Sequence, residues 1–89
     1  MELPKKIKVG NITYKIIRRK LKNDFGTHCP EKQEITISTG LSKKMTRNTF
    51  FHELTHALFF QIGAFVEQKD EVLVQSLANE LDKLFKLRL

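Results

Sequence analysis

The sequence has one cysteine, Cys29, in 89 residues, and no tryptophan. A single cysteine cannot form an internal disulfide, which excludes a disulfide-stapled scaffold and fits a reducing compartment. No apolar run approaches the roughly 20 residues that a membrane-spanning helix needs. The sequence also starts without the apolar core of a signal peptide, so we expect a cytoplasmic protein.

Acidic residues are scarce in the first half of the chain. Residues 1–47 hold twelve Lys or Arg against four Asp or Glu, whereas residues 48–89 hold four against six. Such asymmetry can mark a surface for nucleic acid or an acidic partner. Because the basic residues alternate with apolar ones, as on a half-exposed strand, the sequence favours an ordinary solvated face.

The length predicts one domain over residues 1–89, whose first part forms strands. Two segments with alternating apolar residues flank Gly10-Asn11, which is typical of a β-hairpin with a tight turn. Gln33 to Ser38 alternates again and predicts a third strand. Residues 22–32 contain Asn, Asp, Gly and Pro and predict a loop, from which Phe25 should reach into the core.

Two helices are predicted to follow. The first begins after an N-cap at Ser42 and ends at Ile62, where Gly63 supplies a left-handed residue. Residues 63–69 form a connection, and the second helix begins after an N-cap at Asp70. Apolar residues on two faces of the first helix indicate packing between the sheet and the second helix. The predicted class is α+β, with a three-stranded antiparallel sheet against both helices.

The first predicted helix contains the motif His52-Glu53-Leu54-Thr55-His56. Residues four apart share one helix face, so both imidazoles can point at one zinc ion. Catalytic zinc takes three protein ligands and a water, and Glu53 is placed to take a proton from that water. The alternative is two structural core histidines beside a solvated glutamate. The uncharged residues around the motif favour the zinc site.

A third protein ligand should come from the helix packed beside the motif. An antiparallel second helix comes level with His56 between residues 71 and 76, because the helical rise is 1.5 Å per residue. Glu71 is the acid in that window. Gln75 lies one turn away, but its uncharged oxygen is a poorer zinc ligand. Glu71 could alternatively stabilise the start of its own helix.

Three other residues with reactive side chains are weaker candidates for the active site. His28 and Cys29 are adjacent but lack the spacing of a complete metal site, so we place both outside the zinc shell. Tyr14 and His28 are candidates for stabilising an oxyanion, although each is more often structural in so small a chain.

The order of hairpin, strand, His-Glu-x-x-His helix and the segment 70–79 resembles small phage- and mobile-element-encoded ImmA/IrrE-type metallopeptidases. The resemblance covers most of the chain and implies cleavage of a repressor or another intracellular protein. Carried over by position, it implies zinc ligands at His52, His56 and Glu71 and a catalytic base at Glu53. Larger members place the ligand glutamate four residues before an Asn that resembles Asn79, where this chain has Gln75.

The sequence therefore predicts a zinc-dependent metallopeptidase acting on a protein or peptide, with an extended substrate paired to the edge of the Gln33–Ser38 strand. The rival prediction is a non-catalytic regulatory module that uses its basic half to bind nucleic acid or a host protein. Gln75 and the small size favour the rival. Glu53 argues against it, because a structural metal site needs no base.

Overall fold

The computed structural model describes residues 3–85, so the predicted domain extends beyond it by two residues at one end and four at the other. The chain has an α+β fold, as predicted. Its elements are β1 (Lys6–Val9), β2 (Ile12–Arg18), β3 (Gly26–Cys29), β4 (Glu34–Ile37), α1 (Lys43–Gln61), α2 (Phe65–Gln68) and α3 (Glu71–Phe85). None of the described helices combines the length and apolar character that crossing a membrane requires.

The sheet has four strands in the order β1-β2-β4-β3. β1 and β2 are antiparallel, β2 and β4 are parallel, and β3 and β4 are antiparallel. The predicted three-stranded antiparallel sheet is therefore wrong in strand number and in direction. The missed strand, β3, lies inside the predicted loop at residues 22–32. Its sequence, GTHC, has no alternating large apolar residues, so the periodicity carried no signal for it.

The predicted hairpin is confirmed. Val9 pairs with Ile12 across the turn, and Gly10 has a φ of 62°, a left-handed value that glycine adopts without steric cost. The predicted third strand is confirmed as β4, within residues 33–38.

The helix ends follow the predicted capping chemistry. Ser42 Oγ accepts the Met45 N–H at 3.1 Å at the start of α1, and Gly63 follows the helix with a φ of 77°. Asp70 Oδ1 accepts the Leu73 N–H at 3.1 Å at the start of α3. The connection over residues 63–69 differs from the prediction because it contains the single-turn helix α2.

Helix α1 packs between the sheet and α3, as predicted. The core between these layers is formed by buried apolar side chains: Val9, Tyr14, Ile35, Ile37, Phe50, Phe51, Ala57 and Ala78. The long buried helix holds the His-Glu-x-x-His motif in place between two packed surfaces. The motif's position is therefore fixed by the core itself.

Phe25 is not part of that core, and this prediction was wrong: the side chain is 57% exposed. The neighbouring Gly26 faces α1 instead. A Cβ added at Gly26 would lie 2.7 Å from Thr49 Cγ2 and 3.0 Å from Glu53 Cγ. The backbone at Gly26 therefore occupies the space beside α1 that a side chain would otherwise fill.

Candidate metal centre

Three potential ligands come together between α1 and α3. His52 and His56 lie one turn apart on α1, with ring centroids 5.0 Å apart. Nε2 of His52 is 3.0 Å from Oε1 of Glu71, and Nε2 of His56 is 3.2 Å from Oε2 of the same carboxylate. Glu71 is the first residue of α3, so both helices are needed to assemble the group.

The spacing of these atoms fits a metal ion. Two ligands of a tetrahedral zinc ion, each roughly 2.0–2.1 Å from it, lie about 3.3 Å apart. The observed separations of 3.0 and 3.2 Å are close to that value, and one ligand atom from each residue lies within 4.8 Å of the others. Two imidazoles and one carboxylate are also the ligand set of many catalytic zinc sites. The group could hold a metal ion.

Each histidine is held by a glutamine on its other ring nitrogen. Nδ1 of His52 donates to Oε1 of Gln75 at 2.8 Å, and Nδ1 of His56 donates to Oε1 of Gln68 at 2.6 Å. An amide oxygen can only accept, so Nδ1 carries the hydrogen in both rings. This leaves both Nε2 atoms facing Glu71, as metal ligation requires.

The orientation of Gln75 is itself fixed. Its Nε2 donates to Oδ1 of Asn48 at 2.9 Å and to Oδ1 of Asn79 at 2.8 Å. With the amide nitrogen directed at these two acceptors, the amide oxygen must face His52. Gln75, the alternative ligand considered from the sequence, therefore contacts the nitrogen of His52 that points away from Glu71. The structure brings Glu71, and not Gln75, to the Nε2 atoms of both histidines.

Glu53 lies beside this group with its carboxylate available. The residue is 7% exposed and lines the same cleft as the two histidines. Within residues 3–85 its carboxylate makes no hydrogen bond. Burial raises the pKa of Glu53, and the two neighbouring imidazoles partly oppose this. A carboxylate that lines a cleft and accepts no hydrogen bond is suited to accept a proton.

The cleft in front of the cluster has a volume of about 530 Å³. One wall is formed by α1 and α3. The other wall is formed by the start of β3 and the residues before it: Asp24, Phe25 and Gly26. The exposed ring of Phe25, expected in the core, thus lies at the rim of the cleft.

The strand edge beside the cleft belongs to β3. The prediction that residues 33–38 present this edge is wrong, because β4 lies between β2 and β3. The backbone carbonyl of Phe25 accepts the Ser38 N–H at 2.7 Å, so the backbone groups of Phe25 point toward β4. Backbone groups alternate in direction along an antiparallel strand, and those of Gly26 and His28 therefore point away from β4. The edge of β3 that is open to a further strand is therefore short and lies next to Glu53.

Tyr14 and His28 lie behind the site and do not line the cleft. The Tyr14 hydroxyl, fully buried, is 3.0 Å from Nε2 of His28. The His28 ring stacks on His56 with a centroid distance of 6.4 Å and an interplanar angle of 8°. Burial, with a smaller contribution from His56, lowers the pKa of His28 to about 4. His28 therefore lies between Tyr14 and His56. Cys29 is a half-buried free thiol outside the ligand group.

Three residues near the site were missed in the sequence. Gln68 fell in the predicted connection and gave no signal. Gly26 fell in the predicted loop, where a glycine is unremarkable. Asn48 did carry a signal, because it lies four residues before His52 and so on the same face of α1.

Comparisons with protein-family models, with curated proteins and with solved structures gave no match. The function is therefore inferred from the residues of the site and their geometry.

Proposed function

We propose that the protein is a zinc-dependent metallopeptidase that hydrolyses a peptide bond in an intracellular protein. One observation carries the proposal: Nε2 of His52 and Nε2 of His56 lie 3.0 and 3.2 Å from the two oxygens of Glu71, in the cleft that Glu53 lines. Two imidazoles, a carboxylate and an adjacent free carboxylate are the elements of a metal-assisted hydrolase. The resemblance to ImmA/IrrE-type metallopeptidases supports a phage or mobile-element repressor as the substrate.

A zinc ion bound by His52, His56 and Glu71 would polarise the scissile carbonyl and lower the pKa of a water to about 7. Glu53 accepts a proton from the water as it attacks the carbonyl carbon. The protonated Glu53 then donates that proton to the leaving amine nitrogen. Burial assists the first transfer, because the raised pKa of Glu53 makes the carboxylate a stronger base than an exposed glutamate.

The substrate chain would pair with the edge of β3. The backbone groups of Gly26 and His28 offer hydrogen bonds to an extended peptide, which would run past Glu53. Phe25 is 57% exposed and Met45 is 37% exposed at the cleft. These two side chains offer apolar contacts to residues flanking the scissile bond.

Metal analysis and proteolysis of matched variants test this function. We expect about one zinc ion per chain in the wild-type protein and in Glu53→Gln, and little in His56→Ala. Cleavage of a peptide library should require the wild-type chain and be lost in Glu53→Gln. Wild-type cleavage rates in Glu53→Gln would refute the assigned base. Weak or absent zinc binding by the wild type, without cleavage of any peptide, would support the non-catalytic rival.

A further inference from the structure

The hairpin of β1 and β2 carries lysines on the side of the sheet that faces away from the helices. The register pairs Lys6 with Lys15 and Ile7 with Tyr14. Tyr14 is fully buried and Ile7 packs against the core, so the alternate residues point to solvent. Lys6, Lys8 and Lys15 are all exposed. These three lysines form what we call the basic face.

No ion pair within residues 3–85 includes a lysine of the basic face. The ion pairs found in residues 3–85 join side chains of α1 and α3 or lie within α3. Glu34 on β4 lies opposite Lys15 in the register, but the two side chains form no ion pair. Lys6 and Lys15 are direct cross-strand neighbours, and like charges in that arrangement destabilise a sheet. The fold therefore maintains an unfavourable pair that a bound anion would relieve.

The surrounding chain extends this positive charge. Ile16 N–H donates to the Lys5 carbonyl at 2.9 Å, which places the start of β1 near the end of β2. Arg19 and Lys20, both exposed, follow directly after β2. The sequence alternation alone suggested a solvated face; the structure places Lys6, Lys8 and Lys15 on one surface, with the half-buried Glu34 beside Lys15. The whole chain carries a net charge of +6 and has a pI of about 9.7.

The chemistry of this face fits phosphates more closely than a bilayer or an acidic peptide. None of the exposed large apolar residues in the described chain lies on β1 or β2, so nothing there would insert into a membrane. Lysine acts as a flexible point charge toward phosphate, and a duplex carries one negative charge per about 1.7 Å of its axis.

We propose that Lys6, Lys8 and Lys15 bind the phosphate backbone of nucleic acid without reading its sequence. β1 and β3 are the two outermost strands of the sheet, so the basic face and the metal centre are at opposite ends. The binding does not depend on the proposed peptidase activity. A substrate peptide and a nucleic acid could occupy the protein together.

The test is fluorescence anisotropy with a labelled mixed-sequence DNA duplex at several salt concentrations. The triple variant Lys6→Gln, Lys8→Gln, Lys15→Gln removes the basic face. Its matched control, Lys43→Gln, Lys69→Gln, Lys83→Gln, removes the same charge from exposed helical and connecting positions. We expect the first variant to bind the duplex at least 10-fold more weakly. The slope of log affinity against log salt concentration should become less steep by about 2.7, because each of the three lost phosphate contacts contributes about 0.9. The affinity of the control variant for the duplex should fall by less than about 3-fold.

A third variant, Lys6→Arg, Lys8→Arg, Lys15→Arg, keeps the charge and should retain binding within about 3-fold, which separates charge from folding. Circular dichroism and zinc content should match the wild type in all variants. Equal losses in the two glutamine variants would overturn the proposal, since net charge alone would then explain binding. Binding to phosphatidylserine vesicles or polyglutamate but not to the duplex would also overturn it.

Discussion

Gln75 holds His52 by the ring nitrogen that does not face Glu71. Nδ1 of His52 donates to Oε1 of Gln75 at 2.8 Å, while Nε2 of the same ring is 3.0 Å from Glu71. In this arrangement the glutamine orients a histidine, and the carboxylate comes from one turn earlier on α3.

Replacing Gln75 should therefore weaken metal binding without removing a ligand. In Gln75→Leu, His52 loses the acceptor that fixes its tautomer, so we expect zinc affinity to fall about 10–100-fold. Competition with a chromophoric chelator measures this affinity. Gln75→Glu is the matched control, because it keeps an oxygen for Nδ1 and should bind more tightly than Gln75→Leu. Equal affinities for Gln75→Leu and the wild type would show that the contact does not orient His52.

The two roles considered for Glu71 predict different effects of Glu71→Gln on zinc affinity and on stability. If Glu71 is the third ligand, Glu71→Gln should lower zinc affinity by more than about 100-fold, beyond the loss expected for an outer-shell partner. As an acid at the helix start it contributes only about 0.3–1 kcal/mol to stability. Glu67→Gln on α2 removes the same charge outside the ligand group and serves as the control. Wild-type zinc affinity in Glu71→Gln, with a loss of stability in metal-free protein, would support the helix role instead.

Gly26 should be required for the close packing of β3 on α1. An added Cβ would lie 2.7 Å from Thr49 Cγ2 and 3.0 Å from the Thr36 carbonyl oxygen, so the strand or the helix must move. We expect Gly26→Ala to lower the free energy of unfolding by about 1–3 kcal/mol in urea denaturation. Adding Thr49→Ser, which removes Cγ2, should recover part of this loss. A stability unchanged by Gly26→Ala would contradict the observed contact.

The half-buried His28 should make the metal-free protein sensitive to acid. Burial and His56 lower its pKa to about 4 in the native state, whereas an unfolded histidine has a pKa of about 6.5. Between these values the unfolded chain binds a proton that the native chain does not, so the free energy of unfolding decreases as pH falls through this window.

Urea denaturation from about pH 7 to about pH 4.5, with a chelator present, compares the wild type with His28→Gln. Glutamine retains a partner for the Tyr14 hydroxyl but does not titrate. The wild type should lose more stability on acidification than His28→Gln. Parallel pH profiles for the two proteins would exclude this role for His28.

Sequence periodicity gave wrong predictions where the position of a residue depended on pairing between strands that are distant in the chain. β3 is recognisable only through its register with β4, in which His28 lies opposite Ile35. Phe25 is apolar and was expected inside, yet the neighbouring Gly26 takes the inward position because the backbone of β3 approaches α1 so closely. Neither outcome follows from local alternation, since both depend on which strand occupies the space beside α1.

The amino-acid sequence by itself determined the local features: the hairpin turn at Gly10, the helix caps at Ser42 and Asp70, and the shared face of His52 and His56. Each depends on residues within one turn of one another, where backbone geometry leaves few choices. Only the tertiary structure decided that Glu71 meets the two histidines, that Gln75 lies on the far side of His52, and that β3 forms the cleft edge. These depend on the rotation of α3 about its axis and on strand order, which are set by packing between segments distant in the chain.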